Sequence, residues 1–391
     1  MFSEIMQTRI QLTTSRRLER VGFSDIVQIR NKILSLREAG HKVFEFHGGE
    51  PYFETPDNIK QAMHAALLDN KTHYAPSSGI AALRQKLARK LGERNSLTVS
   101  ADDVLITNGG MQALYGTFQA VLNPGDECIL FSPYWTPIGD IIAGAEATAV
   151  PVDTVQARGI GLRKALESAL TSRTRAVYFN TPNNPAGFVF SRAEAEIVAD
   201  FAISNDLVVI ADEAYEDLVY DGEHFSIASL PNMLERTITC YTFSKSYAMT
   251  GWRVGYAVAL EPWMTGIKKV VLYSTNGVST ATQWAALHAL DTPVSELVRR
   301  REEYRRRRDL LVEGLRSVGF QIDAPAGAFY AFPDASRIDR DSRRAAQVLL
   351  ERARVAAVPG VVFGGEGHLR MCYSAPPDVI EGAVASIRAN L

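Results

Sequence analysis

The amino-acid sequence predicts an α/β fold, in which helices cover a mostly parallel sheet and a second, smaller domain is present. From about residue 100, short apolar runs alternate with amphipathic stretches. The runs are rich in β-branched and aromatic residues and barely alternate in polarity, which is typical of strands buried on both faces. The 391 residues of the chain also exceed the roughly 250–300 residues at which a single core stops growing.

Six apolar runs are predicted to form the strands of the sheet. The stretch from Arg192 to Ser204 lies between two of them and has apolar residues at a spacing of about 3.6, which predicts a helix. The six runs are VLIT (104–107), ECILF (127–131), RAVYF (175–179), LVVIA (207–211), TITCYTF (237–243) and VGYAVA (254–259).

The chain changes character after about residue 285. One long helix is predicted from Val294 to Val318, ended by Gly319, and shorter strands and helices follow it. Residues 1–48 are too few to form a domain alone, so we expect them to pack with the C-terminal part. The predicted organisation is a large domain over 49–285 and a small domain formed by both chain ends, 1–48 and 286–391.

Composition excludes several classes of function. The formal net charge is −2, so no basic excess exists to attract nucleic acid or an anionic membrane. The one basic run, Arg299 to Arg308, contains Glu302 and Glu303 and is predicted to be the solvated face of a helix. No stretch is long and apolar enough to span a membrane, and the N-terminus lacks the apolar core of a signal peptide.

Cysteine usage indicates a reducing compartment. The three cysteines, Cys128, Cys240 and Cys372, lie in apolar surroundings without regular spacing. This pattern argues against a disulfide framework, a zinc site or a redox pair. We therefore expect a cytoplasmic protein and predict no metal site.

Glycine, polar or aromatic residues directly follow the predicted strands. Ligands of open α/β sheets bind beyond the carboxyl ends of the strands, so this convergence predicts a functional site at one sheet edge. The segments are Asn108-Gly109-Gly110-Met111, Ser132-Pro133-Tyr134-Trp135, residues 180–187, Asp212-Glu213-Ala214-Tyr215 and Ser244-Lys245.

Each segment alone also has a plain structural interpretation. Gly109-Gly110 can form a tight turn, although glycines before a helix also let a phosphate approach backbone N–H groups. Asp212 can cap the next helix. Lys245 is more informative, because it follows a buried strand within SKSYAMTGWRVGY, where little else is charged. A partly desolvated lysine has a depressed pKa and becomes a nucleophile towards carbonyls.

Three segments taken together resemble the class I/II aminotransferases of pyridoxal 5'-phosphate (PLP) fold type I, above all the bacterial aspartate aminotransferase-like branch. They are TPNNPAG (181–187), DEAYEDL (212–218) and SKSYAMTGWRVGY (244–256). GGEPYFETP (48–56), HYAPSSGIAALR (73–84), SPYW (132–135), GAFYAF (327–332) and GHLRMCY (367–373) extend the match in the family's order. The resemblance implies PLP as cofactor and a mostly parallel seven-stranded sheet in a three-layer α/β/α large domain, plus a smaller α+β domain.

The resemblance also implies a role for each site residue. Lys245 would hold the cofactor as a Schiff base and shuttle the substrate's α-proton. Asp212 would keep the pyridine nitrogen protonated, and Asn184 and Tyr215 would hydrogen-bond the phenolic oxygen. Trp135 would stack on the ring. The catalytic residues are thus expected to be Lys245, Asp212 and Tyr215.

Further residues are implied to bind the phosphate and the substrate. The phosphate is expected to contact Thr242, Arg253 and the loop that contains Gly109, Gly110 and Met111. Tyr74 matches a tyrosine that reaches the neighbouring subunit's phosphate, which implies a homodimer. The substrate is expected to contact Gly49, Asn184 and Trp135, while Arg370 grips its α-carboxylate as a bidentate pair.

Two departures from the family concern the substrate. Met111 stands where many aspartate-directed members have a lysine, and segment 273–280 (YSTNGVST) lacks the arginine that others donate across the dimer. Removing a carboxylate from water without a partner charge is costly. We therefore expect a donor with a neutral, apolar or aromatic side chain, in a pocket lined by Met111, Trp135 and Tyr52. Ala186 replaces a threonine of the family, and we expect little consequence because Asn184 is intact.

The predicted function is a PLP-dependent aminotransferase that exchanges the amino group of an L-amino acid with a 2-oxo acid by a ping-pong mechanism. One alternative is an aspartate aminotransferase. Another is a different PLP enzyme on the same scaffold, namely a C–S lyase, a decarboxylase or an amino-acid oxidase, because fold does not fix function. A PLP-binding regulator is disfavoured, since the chain before residue 48 is short for a DNA-binding module and carries no basic excess.

Overall fold

The computed structural model describes residues 14–22 and 25–391. In chain order its strands are β1 (Phe44–Glu45), β2 (Val104–Thr107), β3 (Glu127–Ser132), β4 (Thr148–Asp153), β5 (Thr174–Asn180), β6 (Val208–Asp212), β7 (Thr237–Thr242), β8 (Gly255–Val258), β9 (Tyr330–Ala331), β10 (Val355–Ala356), β11 (Val358–Pro359) and β12 (Leu369–Cys372). The α-helices are α1 (Asp25–Glu38), α2 (Asp57–Leu68), α3 (Ala81–Asn95), α4 (Gly109–Val121), α5 (Pro137–Gly144), α6 (Thr154–Ile160), α7 (Leu162–Ala169), α8 (Arg192–Ser204), α9 (Trp263–Thr275), α10 (Thr280–Ala289), α11 (Val294–Ser317), α12 (Ser342–Ala353) and α13 (Pro377–Asn390).

The large sheet has seven strands in the order β2-β8-β7-β6-β5-β3-β4. Strand β8 runs antiparallel to both of its neighbours, whereas the pairs from β7 to β4 are all parallel. The six parallel strands therefore end at the same edge, where Asn180 pairs with Asp212 and Asp212 pairs with Cys240 in register. This topology confirms the predicted mostly parallel seven-stranded sheet.

Helices cover both faces of this sheet, because successive side chains of a strand point to opposite faces. On β3, for example, Leu130 packs in a cluster with residues of α4, α5 and α9, while Ile129 packs with residues of α6, α7 and α8. Both side chains are fully buried. The result is the predicted three-layer α/β/α arrangement.

All six predicted strands are present to within one residue at each end, and α8 spans Arg192–Ser204 as expected. The sequence did not predict β4. This strand lies at the sheet edge, and only Val152 of its six residues is buried. Its mixed polarity and Pro151 are typical of an edge strand, so the search for continuous apolar runs missed it.

Both ends of the described chain contribute to a second set of small sheets. Strand β1 pairs in parallel with β10, with Phe44 opposite Val355, and β9, β12 and β11 form an antiparallel sheet. Helices α11, α12 and α13 pack around a separate apolar cluster that includes Leu311, Leu349 and Ile380. The boundaries at residues 49 and 286 stay a prediction.

Helix α11 is the predicted long helix, but the expectation of a solvated arginine face is wrong for three of its residues. Arg300, Arg307 and Arg308 are buried. The Arg307 guanidinium lies 3.3 Å from the Tyr52 ring centre and donates to the carbonyl of Ala375 at 2.9 Å. Carboxylates, loop carbonyls and aromatic rings therefore replace water around these cations. A sequence pattern of alternating charges reveals the carboxylates of the same helix but not the groups from distant segments.

Two expectations about the cellular environment can be compared with the structure. The three cysteines are free and buried in the described chain, and burial raises the pKa of the Cys128 thiol to about 12. Among the described helices, none has the length and apolar character required to cross a bilayer.

Candidate active site

A cavity of about 500 Å³ opens at the carboxyl edge of the large sheet. Most of the residues that the sequence singled out line it, and they come from segments far apart in the chain. The predicted residues in its lining are Gly49, Gly110, Met111, Trp135, Asn184, Asp212, Tyr215, Thr242, Lys245, Arg253 and Arg370.

Lys245 lies three residues after the end of β7, and its side chain reaches into the cavity. Its Nζ donates a hydrogen bond to the Gly49 carbonyl at 2.8 Å. The nitrogen also lies 5.8 Å from the ring centre of Tyr215 and 5.4 Å from that of Phe329. Burial lowers the pKa of Lys245 to about 8, although the negative charge of Glu50 opposes this shift. A large fraction of Lys245 is therefore a neutral amine near pH 8.

Asp212 is the last residue of β6, and its side chain is 5% exposed. Burial raises the pKa of this carboxyl to about 6, against hydrogen bonds that favour the charged form. The Tyr178 hydroxyl donates to Oδ2 at 2.7 Å, and the Ala214 backbone N–H reaches Oδ1 at 3.2 Å. The carboxylate is thus a buried base, held from two sides.

A pair of tyrosines lies beside Lys245. The hydroxyls of Tyr215 and Tyr330 are 2.9 Å apart, and their rings meet edge to face. Burial and the neighbouring Tyr330 hold the pKa of Tyr215 well above its ordinary value, so its phenol stays protonated. On the other side, the Asn184 backbone N–H donates to Asn180 Oδ1 at 3.0 Å, which fixes the loop that carries Asn184.

The start of α4 forms a cradle with Thr242 and Arg253. Gly109 has a φ of +75°, and a Cβ at that position would lie 2.7 Å from an Arg253 nitrogen. A Cβ on Gly255 would lie 2.8 Å from the Gly110 backbone nitrogen. The glycines thus permit a close approach of three segments, and the N–H groups of the first helical turn point towards an anion site.

Arg370 is the second residue of β12 and is 3% exposed. One terminal nitrogen donates to the His47 carbonyl at 2.7 Å, and the other lies 3.4 Å from Asn184 Oδ1. Its Nε is buried without a hydrogen-bond partner in the described chain. An unsatisfied guanidinium N–H in a cavity wall favours an anionic ligand there.

Three predicted residues are absent from the cavity lining in the described chain. Gly109 supports Arg253 from outside it, as described above. Tyr74 is 92% exposed. The expectation that Tyr52 lines the pocket is wrong, because its ring lies against Arg307 of α11 and its backbone N–H donates to the Tyr304 hydroxyl at 2.9 Å.

Several residues of the site were given no individual role from the sequence. Ser244 is in the lining, and the Thr242 hydroxyl donates to its Oγ at 2.9 Å. Its position directly before Lys245 was a usable signal. Tyr330 lies in the GAFYAF segment (327–332), which matched the family but gave it no role, whereas Tyr178 looks like an ordinary aromatic residue of a buried strand. The other lining residues to which the sequence assigned no individual role are His47, Gly48, Glu50, Leu114, Asn180, Ala214, Thr250 and Gly251, although Asn180 and Ala214 lie in the segments predicted to form the site.

Comparison with known proteins identifies the family. The family model described as aminotransferase class I and II matches residues 41–387. The chain belongs to this family. The aminotransferase is 40% identical over 374 residues to the aspartate/prephenate aminotransferase of Thermus thermophilus, a match covering 95% of this chain and 96% of the relative.

Solved structures agree with this assignment. The aspartate aminotransferase from Thermus thermophilus with maleate has a TM-score of 0.93 at 39% identity, and the match covers 97% of this chain and 100% of that one. The aromatic aminotransferase from Pyrococcus horikoshii has a TM-score of 0.86 at 35% identity, with 91% and 98% covered. The family and the fold predicted from the sequence motifs are therefore confirmed.

Proposed function

We propose that this aminotransferase uses PLP, held and activated by Lys245 and Asp212. One observation carries the proposal. A lysine of lowered pKa and a buried carboxylate follow adjacent strands, β7 and β6, and face the same cavity. A perturbed pair of opposite charge in a cleft is a recognised property of catalytic sites.

The residues around the cavity fit the chemical groups of PLP. The phosphate would lie against the backbone N–H groups of Gly110 and Met111, with Thr242 and Arg253 beside it. Trp135 offers an aromatic face for the pyridine ring. The volume of about 500 Å³ is within the range of roughly 300–1,000 Å³ usual for small-molecule sites.

Lys245 and Asp212 would divide the proton chemistry between them. Bound PLP supplies an electron-accepting ring that stabilises negative charge at the substrate's α-carbon. The Lys245 amine is the base that removes the α-proton and later returns it, for which a pKa of about 8 is suitable. Asp212 keeps a proton on the pyridine nitrogen by offering it a buried negative charge.

Tyr215 and Asn184 would hold the opposite edge of the ring. Both can donate to the cofactor's phenolic oxygen, and the high pKa of Tyr215 keeps its proton available. Tyr330 lies 2.9 Å from the Tyr215 hydroxyl and so restrains its direction. These hydrogen bonds would tune how readily the site exchanges its lysine for a substrate amine.

Arg370 would bind the substrate's α-carboxylate. Its Nε lacks a partner in the described chain, and its guanidinium lies 4.8 Å from the Tyr330 ring centre and 4.9 Å from that of Phe363. These rings restrict its rotation, which favours a bidentate geometry. Gly49 brings backbone close to the same place, because a Cβ there would lie 2.8 Å from the Tyr330 hydroxyl.

We also propose that the active unit is a homodimer. Tyr74 is 92% exposed, and Tyr273 is 87% exposed. Surfaces that bind a partner expose contiguous apolar patches, and we propose that Tyr74 and Tyr273 contribute to one. In such a dimer Tyr74 would reach the phosphate of the neighbouring site.

The preferred donor would have a neutral or aromatic side chain. The Lys and Arg residues that line the cavity in the described chain are Lys245, Arg253 and Arg370, and each already has a proposed role. Met111 is 38% exposed at the cavity wall, where it offers apolar surface. The relatives named for aspartate/prephenate keep aspartate as the alternative donor.

A panel of amino donors tests the reaction and the donor together. The purified holoenzyme is mixed with single amino acids without an oxo acid, and the cofactor absorbance is followed over one half-reaction. Transamination predicts complete conversion to the amine form and recovery on addition of a 2-oxo acid. Release of sulfide, carbon dioxide or hydrogen peroxide would instead favour a C–S lyase, a decarboxylase or an oxidase. A dominant kcat/KM for aspartate would overturn the neutral-donor proposal alone.

Borohydride reduction followed by peptide mapping tests the anchor. A stable adduct is expected on the peptide that contains Lys245, and its absence from the Lys245→Ala variant is the control. An adduct on any other lysine would overturn the assignment.

We also propose domain boundaries and a cellular location. The division into a large domain over 49–285 and a small domain from 1–48 and 286–391 is supported by the separate sheets and apolar clusters of the two parts. Limited proteolysis would test the boundaries. A cytoplasmic location rests on the cysteine pattern and is tested by fractionation.

A further inference from the structure

A buried tyrosine hydroxyl supports Asp212 from outside the cavity. Tyr178 lies on β5, next to β6 in the sheet, and is 1% exposed. Its Oη donates to Asp212 Oδ2 at 2.7 Å. Tyr178 is not among the residues that line the cavity, so we expect its hydroxyl to act on a bound molecule through Asp212.

The surroundings of Tyr178 need no hydroxyl for packing. The ring lies in an apolar cluster and is 6.0 Å from the ring of Phe118. The next residue of the strand, Phe179, is equally buried without any polar atom on its side chain. Burying a hydroxyl costs free energy unless it is hydrogen-bonded. Phenylalanine would fill the same space, so the hydroxyl is explained by its acceptor and not by the core.

The two oxygens of Asp212 are held from different directions. Tyr178 binds Oδ2 from the neighbouring strand, and the Ala214 N–H binds Oδ1 from the following loop. A carboxylate oxygen has two lone pairs, so each oxygen keeps acceptor capacity for a group in the cavity. The side chain cannot rotate without breaking one of these bonds.

We propose that Tyr178 is a positioning residue that keeps the Asp212 carboxylate ionised and correctly oriented for the pyridine nitrogen. The proposal rests on the proposed use of PLP. A hydrogen bond donated to a carboxylate stabilises its charged form relative to its neutral form. Tyr178 thereby offsets part of the effect of burial, which acts on Asp212 in the opposite direction.

This role has a consequence for pH dependence. Removing the hydroxyl raises the pKa of Asp212, and the ionised form is lost as pH falls through that pKa. The acid limb of cofactor binding and of the half-reaction then moves to higher pH. The titratable groups that act on Asp212 from the elements around it are Tyr178 on β5, Glu213 and Tyr215 after β6, Cys240 on β7 and Lys245 after β7.

The test compares the wild-type holoenzyme with Tyr178→Phe. PLP dissociation constants are measured on the apoenzyme by fluorescence quenching from pH 5 to 9, next to single-turnover rates with one donor. We expect PLP binding to weaken about tenfold at neutral pH, as for a lost hydrogen bond to a charged group. The acid limb should move to higher pH. kcat should fall while the donor's KM stays unchanged, because Tyr178 does not touch the substrate.

Tyr256→Phe is the matched control. Tyr256 is a buried tyrosine on β8 of the same sheet, and its hydroxyl lies 3.4 Å from Lys90. The Tyr256→Phe variant should lose thermal stability without any change in the pH dependence of PLP binding or of the single-turnover rate. If Tyr178→Phe does not fold, Tyr178→Met fills a similar volume without a hydroxyl.

The outcomes distinguish the proposed role of Tyr178 from the proposed use of PLP. If the folded Tyr178 variants lose only thermal stability and keep the wild-type PLP affinity and acid limb, Tyr178 has a structural role and the inference is wrong. If wild-type protein itself fails to bind PLP, the proposed cofactor is wrong instead.

Discussion

Lys90 and Lys245 are two lysines withdrawn from water in very different surroundings. The Lys90 ammonium on α3 lies 2.5 and 2.6 Å from the two carboxylate oxygens of Glu216. Within residues 14–22 and 25–391, the hydrogen-bond partner of Lys245 is neutral, the Gly49 carbonyl at 2.8 Å. The positive charge of Lys90 is therefore neutralised by Glu216 inside the fold, whereas Lys245 lacks such a neutralising contact and its pKa is lowered.

The carboxylates near each lysine show the same difference. Burial alone would raise the pKa of Glu216, but the charge of Lys90 and hydrogen bonds outweigh it, and the pKa is lowered. For Asp212 the effect of burial prevails, and the pKa is raised to about 6. A paired buried charge is costly to break, whereas an unpaired one is available for chemistry.

Further ionisable side chains adjoin Lys90 and Glu216. Glu213, Glu216 and His224 have ligand atoms within 4.8 Å of one another, the spacing of a possible cation site. Ser226 donates to Glu213 at 2.6 Å, and His224 Nε2 lies 2.9 Å from the same carboxylate. Because the carboxylate oxygens of Glu213 already have these partners, we assign a structural role to the three side chains.

Lys245→Ala should give the largest effect on activity. Removing the amine deletes both the proposed covalent anchor and the proposed base, so single-turnover rates should fall at least about 10³-fold. The thermal midpoint of the apoenzyme should not fall, because Lys245 forms no ion pair with any residue that the structure describes. A rate within tenfold of wild type would remove Lys245 from the mechanism.

Lys90→Met should give the opposite result. It leaves Glu216 charged and buried without its cation, which costs about 3–5 kcal/mol of unfolding free energy. Urea denaturation measures this loss, while the rate per folded molecule should match wild type. The double variant Lys90→Met with Glu216→Met should recover most of the stability, and a failure to do so would show that the pair is not the cause.

The pH dependence of PLP uptake and of stability in the apoenzyme should show the lowered pKa of Lys245. Only the neutral amine attacks a carbonyl, so the rate of PLP uptake should rise with pH and level off above about 8. Because the folded pKa lies below the ordinary lysine value of about 10.4, the unfolded chain binds more protons between these values. Unfolding free energy should therefore rise with pH over this interval.

Lys245→Ala is the control for this measurement, since it should abolish both the uptake and its contribution to the slope. The same slope in the variant would assign the titration to another group.

Met111→Lys should have the smallest effect and should add a charge to the cavity. A cation at the wall would offer a partner to a distal carboxylate, and kcat/KM for aspartate should rise about tenfold relative to a neutral donor. Met111→Leu keeps the apolar surface and is the control. An unchanged ratio would mean that Met111 does not face the donor's side chain.

Much of the fold could be predicted because its strands are buried on both faces. Such strands are continuous apolar runs, and all six predicted runs are strands of the large sheet. Strand β4 was missed because it lies at an edge and is partly exposed. Arg300 and Arg307 pair with glutamates of their own helix, but their burial was missed because their other acceptors, the carbonyls of Glu54 and Ala375, are distant in sequence.

The sequence by itself determined the family and the fold, and it singled out Lys245, Asp212 and Arg370 as candidate site residues, because these predictions depend on local patterns and motif order. Only the tertiary structure decided which of these side chains keep a charge or an N–H group without a partner in the described chain. Whether a buried charge has a partner depends on side chains brought together from distant segments, as Tyr178 is with Asp212. The pKa of Lys245 and the free Nε of Arg370 are properties of that assembly, since desolvation and pairing arise only when the chain is folded.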